Sequence, residues 1–205
     1  RPLGGCGFAV DAGVDGVGID IIIMADSQIS VHHDEQVNCA LTRDYSRRWL
    51  RHNGPAVYNL TLAELKKFDI GRINPSSELS KQFPDQVSVE GARICTLSEV
   101  AEFCNDLPSG RPILNIEFKS DPFHPHATPS PHEYALLLVR ELKKLELIDN
   151  SWIQSFDWRI LRQVQQLCPY ITTCYLTSQD PNYDTVGNPG TVPYTNMTLP
   201  TKKIV

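Results

Sequence analysis

The sequence predicts an α/β fold, because five short apolar strands alternate with amphipathic helices. This alternation implies right-handed strand–helix–strand units and a parallel sheet. Polar residues follow several of the strands, which favours a closed barrel. An open doubly wound sheet is the alternative that periodicity leaves open. The predicted strands lie near residues 16–23, 29–32, 113–119, 152–156 and 171–176.

Three capping boxes mark helix starts, because a cap hydroxyl and a glutamate three residues later satisfy two free amides. They predict a short helix ending near Phe68, a second ending near Asn105 and a third over 132–146. Apolar periodicity predicts another helix from Trp158 to Leu167, and turn residues predict a loop insertion over 72–94. The boxes are Thr61–Glu64, Thr96–Glu99 and Ser130–Glu133.

Composition and charge narrow the function classes. The 205 residues suit a single domain with a sizeable core, so we expect 1–205 to be one domain. A net charge of −5 gives no basic footprint for nucleic acid, and no apolar run is long enough to span a membrane. The first residues lack a secretion pattern, so we expect a protein that stays inside the cell or has lost a leader. Six cysteines without metal-ligand spacing are typical of small buried thiols.

The stretch GVGIDIIIMADSQISVHHD contains the first candidate site residues. Alternation in its first strand puts four branched apolar side chains on one face and Asp20 on the other. A buried aspartate needs a cation, a hydrogen-bond donor or water. The next strand delivers His33 and Asp34 at its C-terminal end, where α/β folds place chemistry. The competing interpretation is a structural aspartate and a His–Asp pair at a turn.

The strand ILNIEFK contains the second set. Its apolar side chains point one way, while Glu117 and Lys119 point the other. These two residues either form a salt bridge inside a filled barrel or converge on Asp20. If they converge, Asp20 and Glu117 share one pocket with carboxylates within about 8 Å, and Lys119 and His33 lie at its rim. Two such acids without an ion should pair with Lys119 or show a raised pKa.

Two loops contain residues with more than one interpretation. Arginines after the first site stretch bind phosphate or simply belong to a solvated loop. Histidines in a proline-rich loop could bind a metal, although loop histidines are more often solvated. The residues are Arg43, Arg47, Arg48 and Arg51 in the first loop and His124 and His126 in the second.

Taken together, these pieces resemble the glycerophosphodiester phosphodiesterases. The resemblance rests on GVGIDIIIMADSQISVHHD followed by LTLAELKKFDIGR, RICTLSEV, LNIEFK and IQSFDWRIL, in family order and at about family spacing. It implies a (β/α)8 TIM-barrel fold. It also implies hydrolysis of glycerophosphodiesters, with a divalent cation, to an alcohol and glycerol phosphate. The insertion LTRDYSRRWL…QFPDQ resembles the bacterial cell-envelope branch, which implies a periplasmic or envelope location.

The resemblance also implies roles for individual residues. Asp20 matches the aspartate of the family's Glu-x-Asp motif, and Glu117 matches the glutamate of its Glu-x-Lys strand. Both are therefore predicted to bind Ca²⁺ or Mg²⁺. His33 of the His-Asp motif and Lys119 are predicted to be catalytic, with His33 donating or accepting a proton. The implied partner is a small glycerophosphodiester, with no nucleic acid and no membrane span.

Departures from the family pattern lead to an alternative. Gly18 stands where the family has the glutamate of Glu-x-Asp. The family's His-Arg-Gly strand would precede or overlap residue 1, and its last strands would follow the strand near Cys174. We therefore expect an incomplete or degenerate barrel with about five of the eight strands. Its open sheet edges would favour self-association. The alternative function is a non-catalytic remnant that binds a phosphate or a cation.

Overall fold

The computed structural model describes residues 13–108, 110–120, 128–180 and 183–184. The strands in this part of the chain are β1 (Gly16–Ile23), β2 (Ile29–Val31), β3 (Cys95–Thr96), β4 (Ile113–Phe118), β5 (Ser151–Ser155), β6 (Thr172–Tyr175), β7 (Gln179–Asp180) and β8 (Tyr183–Asp184). The first six form one sheet in the order β3-β2-β1-β4-β5-β6, and the last two pair as a separate hairpin.

Four strands of the sheet are parallel, and the other two form an antiparallel arm. β1, β4, β5 and β6 run in one direction, as the sequence predicts. β2 and β3 run antiparallel to their neighbours. β2 forms a hairpin with β1, because the polar turn between them is too short for a crossover connection. Within the described residues the sheet does not close, so the fold is an incomplete TIM-barrel type.

The described helices are α1 (Leu62–Leu65), α2 (Glu78–Gln82), α3 (Leu97–Asn105), α4 (Pro131–Lys144) and α5 (Trp158–Leu167). All three predicted capping boxes form. The sequence predicts a loop over residues 72–94, but the structure has helix α2 within them. A helix of five residues is too short to show an apolar period in the sequence. Across the described residues, no helix is long and apolar enough to cross a membrane.

The main core lies between one face of the sheet and helices α3, α4 and α5. Ile19, Leu114 and Ile116 point into it, each 5% exposed or less. Phe118 packs edge-to-face on Tyr134 of α4, with ring centroids 4.7 Å apart. Because side chains alternate along a strand, the polar residues between these positions point to the opposite, open face.

A second, smaller core supports the chain between β2 and β3, residues 32–94, which contains the predicted insertion at 72–94. Ile22 and Met24, at the end of β1, pack there against Val57, Leu65 and Ile94. The insertion is therefore a packed extension of the sheet rather than a free loop. The predicted buried thiols are found at two positions: Cys104 and Cys168 are buried, while Cys39, Cys95 and Cys174 are half-buried.

Candidate active site

Asp20, Glu117 and Lys119 meet on the open face of the sheet. The register between β1 and β4 places Asp20 directly beside Glu117. Lys119 Nζ lies 3.1 Å from Asp20 Oδ1 and 2.6 Å from Glu117 Oε1. Since one ammonium contacts both acids, the two oxygens lie well within the limit of about 8 Å predicted from the sequence. The predicted convergence and the predicted pairing with Lys119 are confirmed.

The charge balance of this trio favours the ionised lysine. Burial acts to lower the pKa of Lys119, but hydrogen bonds to Glu117 and Asp20 outweigh burial and raise that pKa. The side chains are 31% exposed at Asp20, 13% at Glu117 and 20% at Lys119. Lys119 is therefore a fixed positive charge that lies between two partly buried carboxylates and remains reachable from solvent.

Two amide side chains extend the polar face: Asn115, which the strand pattern predicts to lie there, and Gln154, which sequence reasoning missed. Gln154 of β5 lies beside Glu117 in the register, and its Nε2 donates to Glu117 Oε2 at 3.4 Å. Asn115 Nδ2 donates to Gln154 Oε1 at 2.9 Å, while Asn115 Oδ1 is buried without a hydrogen-bond partner. The period-two pattern of the strand SWIQS could have identified Gln154, because it is the polar residue between two buried ones.

Gly18 lies on the same open face, two residues before Asp20. A Cβ built on Gly18 would meet no atom within 4 Å. The glycine is therefore not required by packing, and a longer side chain would point into open space beside the two carboxylates.

His33 follows the end of β2, and its imidazole is held by the next residue. Its Nδ1 lies 2.7 Å from Asp34 Oδ1, and Asn38 Nδ2 donates to Asp34 Oδ2 at 2.7 Å. Burial acts to raise the pKa of Asp34, but the hydrogen bonds from His33 and Asn38 lower it overall. Asp34 is thus a carboxylate that orients the imidazole and leaves Nε2 as the nitrogen able to exchange a proton.

His32 is a further residue that sequence reasoning missed. Its backbone N–H donates to Asp20 O at 2.9 Å, which continues the pairing of β2 with β1. Burial lowers the pKa of the His32 side chain, although Asp34 and a backbone hydrogen bond to Gln36 oppose that shift. The ring Nε2 is buried and has no hydrogen-bond partner. His32 is therefore a neutral imidazole with an unused acceptor.

A pocket of about 820 Å³ opens beside these histidines. It lies between the end of β2 and the segment that contains helix α2, with His32, His33 and Asp34 on one side and Leu79 and Phe83 on the other. The pocket and the charged trio are connected through His32, which lines the pocket and whose backbone N–H donates to Asp20 O.

The arginine loop does not gather a phosphate site. Arg43 is buried and donates to Asp69 and, at 2.8 Å, to Glu90. Arg47 and Arg48 are paired with Glu90 at 3.4 Å and with Asp44 at 3.2 Å. Arg47 and Arg48 are exposed, as the solvated-loop interpretation predicts, whereas Arg43 is buried and anchors this loop, which neither interpretation predicts.

The proline-rich loop contains the histidines that are candidates for metal binding. His124 and His126 lie outside the described residues. In the portion of the chain that the structure describes, no group of three or more histidine, cysteine, aspartate or glutamate side chains is arranged to hold a metal ion. Any cation at the trio would therefore have two protein carboxylates, with its remaining ligands coming from elsewhere.

Comparison with known proteins places the chain in a family. Residues 7–197 match the Glycerophosphoryl diester phosphodiesterase family. A glycerophosphodiester phosphodiesterase of Caldanaerobacter subterraneus subsp. tengcongensis is 29% identical over 164 residues, which cover 80% of this chain and 55% of that protein.

Solved structures agree in fold. A Silicibacter pomeroyi structure assigned to the glycerophosphoryl diester phosphodiesterases has a TM-score of 0.81 and 28% identity, covering 96% of this chain and 63% of that one. An Oleispira antarctica phosphodiesterase, solved with the product sn-glycerol-3-phosphate, has a TM-score of 0.62 and 23% identity, covering 87% and 61%. The chain thus spans less than two thirds of the length of each relative. Since the family match extends over most of the sequence, the chain belongs to the glycerophosphoryl diester phosphodiesterase family.

Proposed function

We propose that this chain hydrolyses glycerophosphodiesters to an alcohol and glycerol phosphate, with a divalent cation, Ca²⁺ or Mg²⁺, at Asp20 and Glu117. The observation that carries the proposal is the convergence of both carboxylates on Lys119 Nζ, at 3.1 and 2.6 Å. The neighbouring strand β2 leads to His33, whose imidazole is oriented by Asp34. Family membership over residues 7–197 supports it and also supports a single domain.

The donor set fits a hard cation. Asp20 and Glu117 supply carboxylate oxygens, and Asn115 Oδ1 is a nearby acceptor without a partner. Mg²⁺ in particular is commonly held by one or two carboxylates, with waters and substrate phosphate oxygens completing its shell. Such an ion, when bound, neutralises charge on the phosphoryl group.

The residues of the chain supply the remaining chemistry. The Lys119 ammonium lies where it can contact a phosphoryl oxygen and offset its developing negative charge. In the overall reaction water loses a proton and its oxygen forms a new P–O bond, while the bond to the alcohol oxygen breaks and that oxygen takes up a proton. His33, oriented by Asp34 through Nδ1, exchanges this proton through Nε2. Lys119 is thus proposed as a charge stabiliser and His33 as the general acid or base.

The direct test is turnover of glycerophosphocholine with Mg²⁺ or Ca²⁺, followed by chelation. We expect measurable hydrolysis that disappears with the chelator, and a loss of about 10²- to 10⁴-fold in His33→Ala. The matched control is His52→Ala, an exposed histidine elsewhere in the same loop region. Equal activity in His33→Ala and His52→Ala would overturn the role of His33.

Gly18 favours the second candidate, a non-catalytic protein that binds a cation or phosphate. Since a side chain has room at Gly18, the variant Gly18→Glu can restore the third carboxylate of the family pattern. Because cation affinity rises with ligand charge, we expect Gly18→Glu to bind Mg²⁺ about tenfold more tightly by calorimetry, and Gly18→Gln to show no gain. No difference between the two variants would place the cation elsewhere.

Self-association through open edges remains part of the proposal. Strands β3 and β6 lie at the two edges of the described sheet. Because unpaired strand edges can bond to another chain, we expect dimers or larger species in light scattering at micromolar concentration. A strictly monomeric protein would contradict this.

A further inference from the structure

We infer that the pocket beside His33 receives the alcohol arm of the diester, and that it selects an arm that is bulky, largely apolar and free of negative charge. This inference rests on the proposed hydrolysis, because it assigns the part of the substrate that does not react.

The position of the pocket connects it to the chemistry. His33 and Asp34, which form the proton-exchanging pair, also line the pocket wall. His32, which also lines the pocket, donates its backbone N–H to Asp20 O at 2.9 Å, so the pocket begins at the strand next to the trio. An ester arm of a phosphoryl group at the trio can therefore extend into this space. The pocket has a volume of about 820 Å³, which is enough for a ligand much larger than a two-carbon alcohol.

The lining of the pocket is suited to hydrocarbon. Leu41, Ile73 and Leu79 contribute aliphatic side chains, and Phe83 contributes an aromatic one. Phe83 is 55% exposed, so part of its ring is available as apolar surface in the pocket lining. An apolar arm would cover this ring, so burial of both surfaces would favour binding.

The charges of the lining disfavour an anionic arm. Asp34 and Asp85 are the ionisable acids among the lining residues, and none of the lining residues is a lysine or arginine. The buried His32 Nε2 also lines the pocket without a hydrogen-bond partner, so it can accept one hydrogen bond from a hydroxyl or ammonium group of the ligand.

The pocket wall is tied down rather than loose. Ile73 N donates to Gln86 Oε1 at 3.1 Å across the helix-α2 segment, and Asn74 N donates to Ala40 O at 2.7 Å. These bonds join the segment to itself and to the loop after His33. The pocket is therefore formed before a ligand arrives, which reduces the ordering that binding requires.

The test compares three esters of glycerol 3-phosphate that differ only in the alcohol arm: ethyl, octyl, and octyl with a terminal carboxylate. Binding is measured by calorimetry below the micelle-forming concentration, and hydrolysis by phosphate-ester assay. We expect the octyl ester to bind at least about tenfold more tightly than the ethyl ester, because more methylenes leave water. The terminal carboxylate should remove that gain.

Two variants locate the effect. Phe83→Ala should reduce the octyl-to-ethyl affinity ratio by about tenfold, because it removes the apolar wall that the longer arm contacts. Val87→Ala is the control, since Val87 is also a large exposed residue of this segment but does not line the pocket. An unchanged ratio in Phe83→Ala, or an equal reduction in both variants, would overturn the inference.

The outcomes separate this inference from the proposed function. Hydrolysis of both esters with equal affinity would overturn the pocket assignment and leave the hydrolysis proposal standing. Tighter octyl binding without hydrolysis of either ester would support the pocket and overturn the hydrolysis. Neither binding nor hydrolysis would overturn both.

Discussion

The two faces of the sheet use the same strands for different purposes. On the helix-covered face, Leu114 and Ile116 of β4 are fully buried in a continuous apolar core. On the open face, Asn115 and Glu117 of the same strand alternate with them, half-buried and hydrogen-bonded. The comparison teaches that the apolar face stabilises the fold. The other face can therefore hold two carboxylates close together, although such an arrangement contributes little to stability.

The open face also has exposed residues nearer the N-terminal ends of its parallel strands. Trp152 of β5 lies beside Asn115 in the register and is 45% exposed. Gly18, in the same row, is exposed as well. Two sets of neighbouring residues on this face therefore differ. Gly18, Asn115 and Trp152 include exposed positions, whereas Asp20 and Glu117 are both bound by Lys119. This division between faces and rows can be tested by substitution.

The largest effect is expected on the helix-covered face, in Phe118→Ala. Phe118 is 2% exposed and packs on Tyr134, so the substitution leaves a cavity in the core. We expect the free energy of unfolding to fall by about 3–5 kcal/mol. Urea denaturation measures this loss of unfolding free energy as a shift of the unfolding midpoint to lower urea concentration. The control is the neighbouring Glu117→Gln, where the loss should stay below about 1.5 kcal/mol. Equal losses would contradict the division of the faces.

The next effect is expected on the open face, in the activity of Glu117→Gln. The substitution keeps the shape of the side chain but removes a carboxylate that contacts Lys119 and is proposed to bind the cation. We expect kcat/KM for glycerophosphocholine to fall at least about 10²-fold, while the fold is retained. A native rate in Glu117→Gln, with circular dichroism also unchanged, would show that this face has no part in turnover.

The smallest effect is the response of the open face to high pH. Hydrogen bonds to Glu117 and Asp20 raise the pKa of Lys119 above its ordinary 10.5 in the folded protein, against the effect of burial. The protonated lysine therefore favours folding fully below pH 10.5, and its contribution disappears as the pH rises through the raised value. We expect the native protein to lose unfolding free energy faster than Lys119→Met on this alkaline limb. Parallel curves would show that the lysine makes no such contribution.

The local features of this protein were determined by its sequence. Alternation along GVGIDIII and ILNIEF assigns Asp20 and Glu117 to the face opposite the core, because successive side chains of a strand must point to opposite sides. The three capping boxes likewise place the helix starts, because the hydrogen bonds of each box form within four consecutive residues. Both depend only on contacts between near neighbours in the chain.

Only the tertiary structure decided how these local pieces meet. The antiparallel direction of β2, the alignment of Asp20 with Glu117 and the position of Lys119 between them depend on strand register. The pocket likewise needs helix α2, a turn too short to have a sequence period, to lie opposite His33. These contacts join residues far apart in the chain, and their geometry is set by packing rather than by any short pattern.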